Sequence, residues 1–436
     1  MKIGFLAMSG LRAHDPKLLQ LGMTLPGVVE RSRVLQSLPS LGLLYLAAYT
    51  PSGHDLHYYE VEGEKSVPAD AFTCDLVAIS TFSAQVNEAY AVADCLRESG
   101  VQVAMGGLHV TVLPEEALEH ADYVFLGEGE KAWPAAVDAI ANGTNDEGNR
   151  IWKSADFGPI DVCSLEVPRY DLLECRNYAR LPVQTTRGCP WRCDFCASNV
   201  MLGQPYRKRP ATQVVRDIQA AKQQNPHVFI EFADDNTFVD HEWGKELCRN
   251  LIPLKVKWFT ETDISVADDP ELLRLMRRAR CRQLLIGLES PDQDSLDGIE
   301  LRANFKGQRS TTNMDAVRRI QSHGITVNGC FILGLDKQTP AVFQEILDFA
   351  LEAPLYDVQI TVLTPFPGTP LYERLLQEGR IIEPGRWDLC TLFDVNHIPL
   401  NMTPDQLREG MYWLVEKLFS EDCLRVRRKH FFDQLW

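Results

Sequence analysis

The sequence predicts an α/β chain of two successive parallel sheets closed by a helical tail. Three observations predict it. Short apolar runs alternate with amphipathic helical stretches through the first 145 residues, and a second such series starts near Val183. Between them lies a turn-rich segment without that alternation. Residues 386–436 carry a helical pattern alone.

In the first series the strand-like runs are "KIGFLAM", "DLHYYEV", "LVAIST", "VQVAMGG" and "DYVFLGEGE", with "LGLLYLAAY" and "AYAVADCLRE" as helical stretches between them. Strands alternating with helices give a doubly wound parallel sheet, and about five strands is the size of a Rossmann- or flavodoxin-like cofactor-binding unit. This domain is assigned residues 1–145, and residues 146–180, with "FGPIDV" and "VPRYDLLE", are assigned to a linker. The second series runs "VQTTRGC", "HVFIEFADD", "KWFTETD", "RQLLIGLES", "TVNGCFILGL" and "DVQITVLTP", separated by helical stretches such as "TQVVRDIQAAKQQ" and "PELLRLMRRAR". Six units are fewer than the eight of a closed barrel, so residues 181–385 are expected to form an open, partial (β/α)6 TIM-like barrel. The tail, with "TPDQLREGMYWLVEKLFSED", is placed over one mouth of that barrel.

Bulk properties exclude several classes. A formal net charge of −16 argues against nucleic acid as a partner, because phosphate neutralisation needs a basic face. The basic run "RVRRKH" is read as a solvated helix end. No stretch reaches the ~18 continuous apolar residues of a membrane span. "MKIGFLAMSG" turns polar too early for a signal peptide, so a cytoplasmic protein is expected. Twelve cysteines in 436 residues are too sparse for a disulfide scaffold. Nine are scattered, and Cys74, Cys95, Cys248 and Cys330 are taken as inert core thiols.

The other three fall in "RGCPWRCDFCA", where Cys189, Cys193 and Cys196 have the spacing C-x3-C-x2-C directly after the first strand of the second series. Structural zinc wants four protein ligands, and no nearby His or Cys supplies a fourth; the next His downstream is His227. Three thiolates on a 4Fe–4S cluster leave one iron without a protein ligand. "CPWRCDFC" resembles the signature of the radical S-adenosylmethionine (radical SAM) superfamily, including the aromatic Phe195 before the last cysteine. The resemblance implies that the free iron chelates the amino and carboxylate groups of S-adenosylmethionine, which is then cleaved to a 5′-deoxyadenosyl radical. It also implies a six-stranded partial barrel, matching the independent strand count.

"IEFADDNTF", "IGLES", "NGCFILGLD" and "LTPFPGTPLYERL" resemble later strand ends of such enzymes. Where many members carry Gly-Gly-Glu for the substrate amino group, this chain has Ala233-Asp234-Asp235. A carboxylate there can still receive an ammonium in charge-assisted hydrogen bonds. Asp234 and Asp235 also suit a turn and helix cap before "NTFVD". The resemblance further nominates Phe195, Glu289 and Arg309 as S-adenosylmethionine contacts: Glu289 for the ribose or ammonium, Arg309 for the carboxylate.

In the first domain, "GEGEKA" at 127–132 satisfies a dinucleotide pattern. It stands at the last strand, however, and Glu128 and Glu130 would repel a pyrophosphate. Together with "GGLH", "AISTFSAQ" and "SLGLLYLAAY" it resembles instead the cobalamin-binding domain of a large radical SAM subgroup. The cobalamin contacts so implied are Ser80, Thr81, Gly106, Gly107, His109, Gly127, Glu128 and Gly129. His109 suits packing better than cobalt ligation. Asp55-Leu56-His57 begins the D-x-H-x-x-G loop of cobalt-ligating proteins, but Glu60 replaces the Gly.

The activity this resemblance implies is C-methylation of an unactivated carbon. One S-adenosylmethionine methylates cob(I)alamin, a second yields the radical, and the substrate radical takes the methyl from methylcobalamin. The acceptor would be a small molecule, a lipid, or a peptide or protein, and a ferredoxin or flavodoxin would supply electrons. Relatives of the same architecture use the radical for cyclisation, rearrangement or oxidation without methyl transfer. Methylthiolation of tRNA is disfavoured by the acidic charge. A non-catalytic electron carrier would need a fourth ligand and has no use for the first domain.

Overall fold

The computed structural model describes residues 1–10, 12–21, 38–144, 149–174, 177–201, 205–309 and 313–433. The first sheet contains β1 (Lys2–Met8), β2 (Asp55–Val61), β3 (Leu76–Ser80), β4 (Gln102–Gly106), β5 (Tyr123–Leu126) and β6 (Ile151–Lys153). All are parallel, in the order β2-β1-β3-β4-β5-β6. The chain winds one way from β1 to β2 and the other way from β3 on. The topological switch point, where such sheets bind ligands, therefore lies at the carboxyl ends of β1 and β3. The sequence expectation missed β6 and gave its residues to the linker. It is three residues long, and only Trp152 of them is buried.

The second sheet comprises β7 (Arg180–Val183), β10 (Phe229–Phe232), β11 (Lys257–Glu261), β12 (Cys281–Glu289), β13 (Thr326–Leu333) and β14 (Asp357–Val362). Each pairs in parallel with the next, and β7 and β14 remain unpaired edges, which makes the open six-stranded arc expected from the sequence. Period-2 alternation buries Ile230, Phe232, Trp258, Val327 and Phe331 in the core beneath the helices. Glu231, Glu261 and Cys330 are thereby turned to the inner face.

The sequence run "VQTTRGC" is split in two. β7 ends at Val183, and β8 (Thr186–Arg187) pairs antiparallel with β9 (Arg207–Lys208). The break comes where the Thr185 and Thr186 N–H groups donate to the Asp234 carboxylate instead of a ladder (2.7 and 2.9 Å).

The tail helices Pro404–Leu418 and Glu421–Asp433 bury Leu407, Met411 and Leu414 against the barrel's outer core. Among the described residues no helix is long and apolar enough to cross a membrane.

Candidate functional site

The cysteine loop is held from four directions. Asp194 N–H donates to Ile299 O (2.9 Å), Leu301 N–H to Arg192 O (2.9 Å), and Leu371 N–H to Asp194 O (3.0 Å). Beneath it the buried Glu300 carboxylate accepts from the backbone N–H of Arg192, Ala303 and Arg302 (3.0, 2.7 and 3.1 Å). Burial pushes its pKa up, but these backbone donors outweigh that and hold it below the usual carboxylate range. Trp191 stacks on Phe305, with centroids 4.2 Å apart, and its Nε1–H donates to Asp263.

Phe195 packs against Ile332, Leu335, Leu363 and Leu371. Its partly buried ring anchors the loop to this apolar cluster.

Cys189, Cys193 and Cys196 are half-buried, and Cys193 and Cys196 open into a cavity of about 380 Å³ also lined by Arg192, Asn199, Arg302 and Gly368. Burial raises all three thiols, Cys189 to about 12. Iron must therefore supply the stabilisation that keeps them as thiolates. Among the described residues no three His, Cys, Asp or Glu side chains close on a single metal ion. A cluster makes no such demand, because each thiolate takes a different iron. Three clustered thiols fit a 4Fe–4S group with one iron left open.

The nominated carboxylates part company. Asp234 is buried, and besides the Thr185 and Thr186 N–H groups it accepts from the hydroxyls of Thr185 and Thr237 (the latter 2.8 Å). Both its oxygens are spent on shaping the strand end before the cysteine loop. That corrects its expected place against S-adenosylmethionine.

Asp235 accepts from Ser198 and from the Gly188 N–H, while its buried Oδ2 has no partner. Burial raises its pKa, and it lies close enough to Cys189 and Cys196 to act on both electrostatically. An orphaned carboxylate oxygen beside the cysteines fits an incoming ammonium.

Glu289 sits at φ 63° where the β12–β13 register shifts, and pairs with Lys306 Nζ at 2.6 Å. Lys306 was not foreseen from the sequence. The Arg309 side chain lies outside the described residues.

Cys330 is not the core thiol expected. It stands on the inner face, near enough to Glu289 and Glu261 for both to push its pKa up, after burial. Glu261 is exposed into the barrel's interior yet enclosed by Glu231, Asp235, Asp234 and Glu289. Burial and these like charges push it up to about 8.

The first domain's motif residues are largely engaged by the protein itself. Glu128 pairs with Arg187 (2.7 Å) and Arg207 (2.9 Å), and Glu130 also pairs with Arg187 (2.7 Å). Arg187 lies two residues before Cys189, so "GEGE" latches the first domain to the entry of the cysteine loop. Glu128 as a cobalamin contact is thereby corrected.

Buried His109 bonds Ser83 Oγ through Nδ1 (3.0 Å) and Glu116 through Nε2 (3.3 Å), and Glu116 also accepts from Trp387 of the tail segment. Neither nitrogen is free for cobalt. His57 is halfway down β2, away from its carboxyl end, between Asp55 and Asp70.

Gly107 has φ +108°, and a Cβ there would stand 2.7 Å from Thr81 O. Its freedom lets the loops after β3 and β4 meet. Gly127 (φ +81°) gives way to Ser154 Oγ, Gly129 to the Leu46 side chain, and Gly106 has only ordinary contacts. Ser80 and Thr81 end β3 at the switch point. Their loop leaves a half-open polar rim, Ser80 and Gly106–Gly107, beside the exposed Phe82. A large ring with polar edges fits that rim.

Residues 183–350 match the radical SAM superfamily and residues 28–137 the B12 binding domain. The chain thus carries a radical SAM domain and a B12-binding domain, which imply a 4Fe–4S cluster, S-adenosylmethionine and cobalamin as cofactors. It is similar to the bacteriochlorophyllide d C-12(1)-methyltransferase of Chlorobaculum tepidum, with 26% identity covering 89% of this chain and 84% of that one. The hopanoid C-2 methylase of Rhodopseudomonas palustris is 27% identical, over 79% and 66%. An anaerobic magnesium-protoporphyrin IX monomethyl ester cyclase of Cereibacter sphaeroides is also 27% identical, over 66% and 50%. Among solved structures, the fold resembles the radical S-adenosylmethionine methyltransferase TsrM from Kitasatospora setae with cobalamin and [4Fe-4S] cluster bound. There the TM-score is 0.65 at 16% identity, covering 94% of this chain and 85% of that one.

Proposed function

We propose that the chain is a cobalamin-dependent radical SAM methyltransferase that C-methylates an unactivated carbon. The observation that carries this is the latch of Glu128 and Glu130 on Arg187 and Arg207, which joins the cobalamin-binding sheet to the cysteine loop. The names of several relatives, methyltransferases and methylases, support the same reading. When bound, the cluster with S-adenosylmethionine supplies a 5′-deoxyadenosyl radical and cobalamin supplies a methyl group.

The chain's own residues hold and orient. Cys189, Cys193 and Cys196 bind the cluster through three irons. Asp235 would take the ammonium of S-adenosylmethionine on its free Oδ2, and Glu289 would meet the ribose and Arg309 the carboxylate. Asp234, Glu300 and Phe195 fix the loop. Ser80, Gly106 and Gly107 would line the rim for cobalamin, with Thr81, Gly127 and Gly129 shaping the loops behind it and Glu128 and His109 bracing it from within. The domain limits follow the sequence assignment, 1–145, 181–385 and 386–436, with the linker extended into the first sheet by β6. The acceptor is a small molecule, a lipid, or a peptide or protein, and a ferredoxin or flavodoxin serves as electron donor.

The test is anaerobic incubation of the reconstituted chain with deuterated-methyl S-adenosylmethionine and a fractionated extract of small molecules, lipids and peptides. Mass spectrometry should find the label on a carbon of one acceptor. Deoxyadenosine production without any labelled product would favour the second reading, radical cyclisation or oxidation, which the similarity to the cyclase supports.

A further inference from the structure

The carboxylates around the barrel's interior are met from within the chain, with two exceptions. Glu231 pairs with Arg180, and Glu289 with Lys306 Nζ at 2.6 Å. Asp357, at the foot of β14, accepts from Gln283 Nε2 (2.8 Å) and has Arg428 of the tail helix at 3.5 Å. Asp234 spends both oxygens on Thr185, Thr186 and Thr237. Asp235 keeps its unpartnered Oδ2 for the ammonium proposed above. That leaves Glu261, which ends β11 exposed to the interior. Among the described residues neither a cation nor a hydrogen-bond donor reaches its carboxylate. Lys257 shares this face of β11 but is four residues back, roughly 13 Å along the strand, with Phe259 between them.

Such a carboxylate weakens the fold. Burial and the like charges of Glu231, Asp235, Asp234 and Glu289 raise its pKa to about 8, and no contact within the chain offsets them. A second polar group on the same row is also unmet. Asn328 on β13 is 1% exposed, and its Oδ1 has no partner. It alternates with the core residue Val327, so its side chain faces inward. Glu261 is in register with Leu285 of β12, and Leu285 with Asn328. At about 4.8 Å per strand the two backbones stand about 10 Å apart across Leu285. One small polar group can touch both inward side chains.

We propose that Glu261 and Asn328 hold a protonated nitrogen of the methyl acceptor, an ammonium or guanidinium group. Both side chains present an acceptor oxygen, and a nitrogen cation donates to each and cancels the charge. A neutral hydroxyl leaves that charge standing, and a carboxylate or phosphate adds to it. Anchored at that depth, the cation fixes which carbon of the acceptor stands at the cofactors.

This inference rests on the methyltransferase reading, and the experiment reports the two separately. The full chain is reconstituted with its cluster held oxidised, so that S-adenosylmethionine stays intact. At pH 8.5, above the Glu261 pKa, equilibrium dialysis measures the binding of hexylammonium, hexylguanidinium and 1-hexanol to wild type, Glu261→Gln and Asn328→Leu. Thermal unfolding and S-adenosylmethionine binding are measured on the same samples.

Wild type should bind one of the two cations at least about tenfold tighter than hexanol, and the tighter one names the class. Glu261→Gln should erase that preference, and Asn328→Leu should reduce it. Glu261→Gln should unfold no earlier than wild type, because it removes a charge that only repels its neighbours, and both variants should bind S-adenosylmethionine as before. Equal binding of cation and alcohol in the wild type would overturn the proposal, as would a preference that survives Glu261→Gln. Loss of S-adenosylmethionine from Glu261→Gln would assign the carboxylate to the cofactor's sulfonium and overturn it too. In the labelling experiment, a labelled product that passes a cation exchanger at pH 7 would sink this proposal and leave methyl transfer standing. No labelled product, with the cation preference intact, would sink methyl transfer and leave the cation site.

Discussion

At the carboxyl edge of the first sheet, Glu128, Glu130 and His109 are each tied to another side chain, and a single aromatic ring is left outward. At the same edge of the barrel the balance is reversed. Asp235 keeps an unpartnered buried oxygen, Glu261 faces only carboxylates among its strongest neighbours, and two of the three clustered thiols, Cys193 and Cys196, open on one cavity. The first edge is finished before its ligand arrives, and offers backbone, small residues and Phe82. The barrel edge is unfinished, and its unmet charge is what a metal cluster and a zwitterionic cofactor would complete. Motif residues that look chemical in a sequence can thus be structural in one domain and reactive in the next.

The largest effect that would break this contrast lies at the latch. Glu128→Gln removes a charge that faces Arg187 and Arg207 at once, both little exposed. Stripping one partner from a buried pair costs about 3 kcal/mol. Urea unfolding should show a loss of that order, and the reconstituted variant should also hold less iron, because Arg187 leads into Cys189. A loss under about 1 kcal/mol, the range of exposed pairs, would mean that Glu128 is open to a ligand after all.

Most strands were legible because alternation is a local signal, written within each run of residues. β6 escaped because three residues cannot show a period. The site was legible only where its chemistry is local as well. Three cysteines within eight residues announce themselves. Lys306 answers Glu289 from 17 positions away, Arg187 answers Glu128 from 59, and Arg192 meets Glu300 across 108. Nothing in one sequence pairs such residues. Cys330 could have been placed, since it alternates with Phe331 on β13 and so faces away from the core that Phe331 fills.

A smaller effect sharpens the contrast on the barrel side, where one ionisable group is closed off completely. His397 is buried on the tail segment with Nε2 3.2 Å from Gly334 O, and burial pushes its pKa down to about 4. Below pH 6.5 the unfolded chain takes up a proton that the folded one refuses. Stability present at neutral pH is therefore lost as the pH falls from 6.5 to about 4, by roughly 3 kcal/mol at most. His397→Asn should flatten the slope of unfolding free energy across that window. Parallel curves for variant and wild type would show that the imidazole is reached by water.

The smallest effect is the most discriminating for the first edge. His109→Gln keeps a polar side chain of similar reach between Ser83 and Glu116, so the cost should be near 1 kcal/mol, that of one weakened buried hydrogen bond. If the imidazole is bracing and not a ligand, the visible spectrum of bound cobalamin should be the same in variant and wild type, with cobalt content unchanged. Burial, opposed in part by Glu116, also lowers the His109 pKa, so the charged ring is disfavoured in the folded chain. A shifted cobalt band in the variant would mean that His109 leaves Ser83 and Glu116 when cobalamin binds. The first edge would then be no more finished than the barrel's, since the bracing of the Phe82 loop through Ser83 would have to open to admit the ligand.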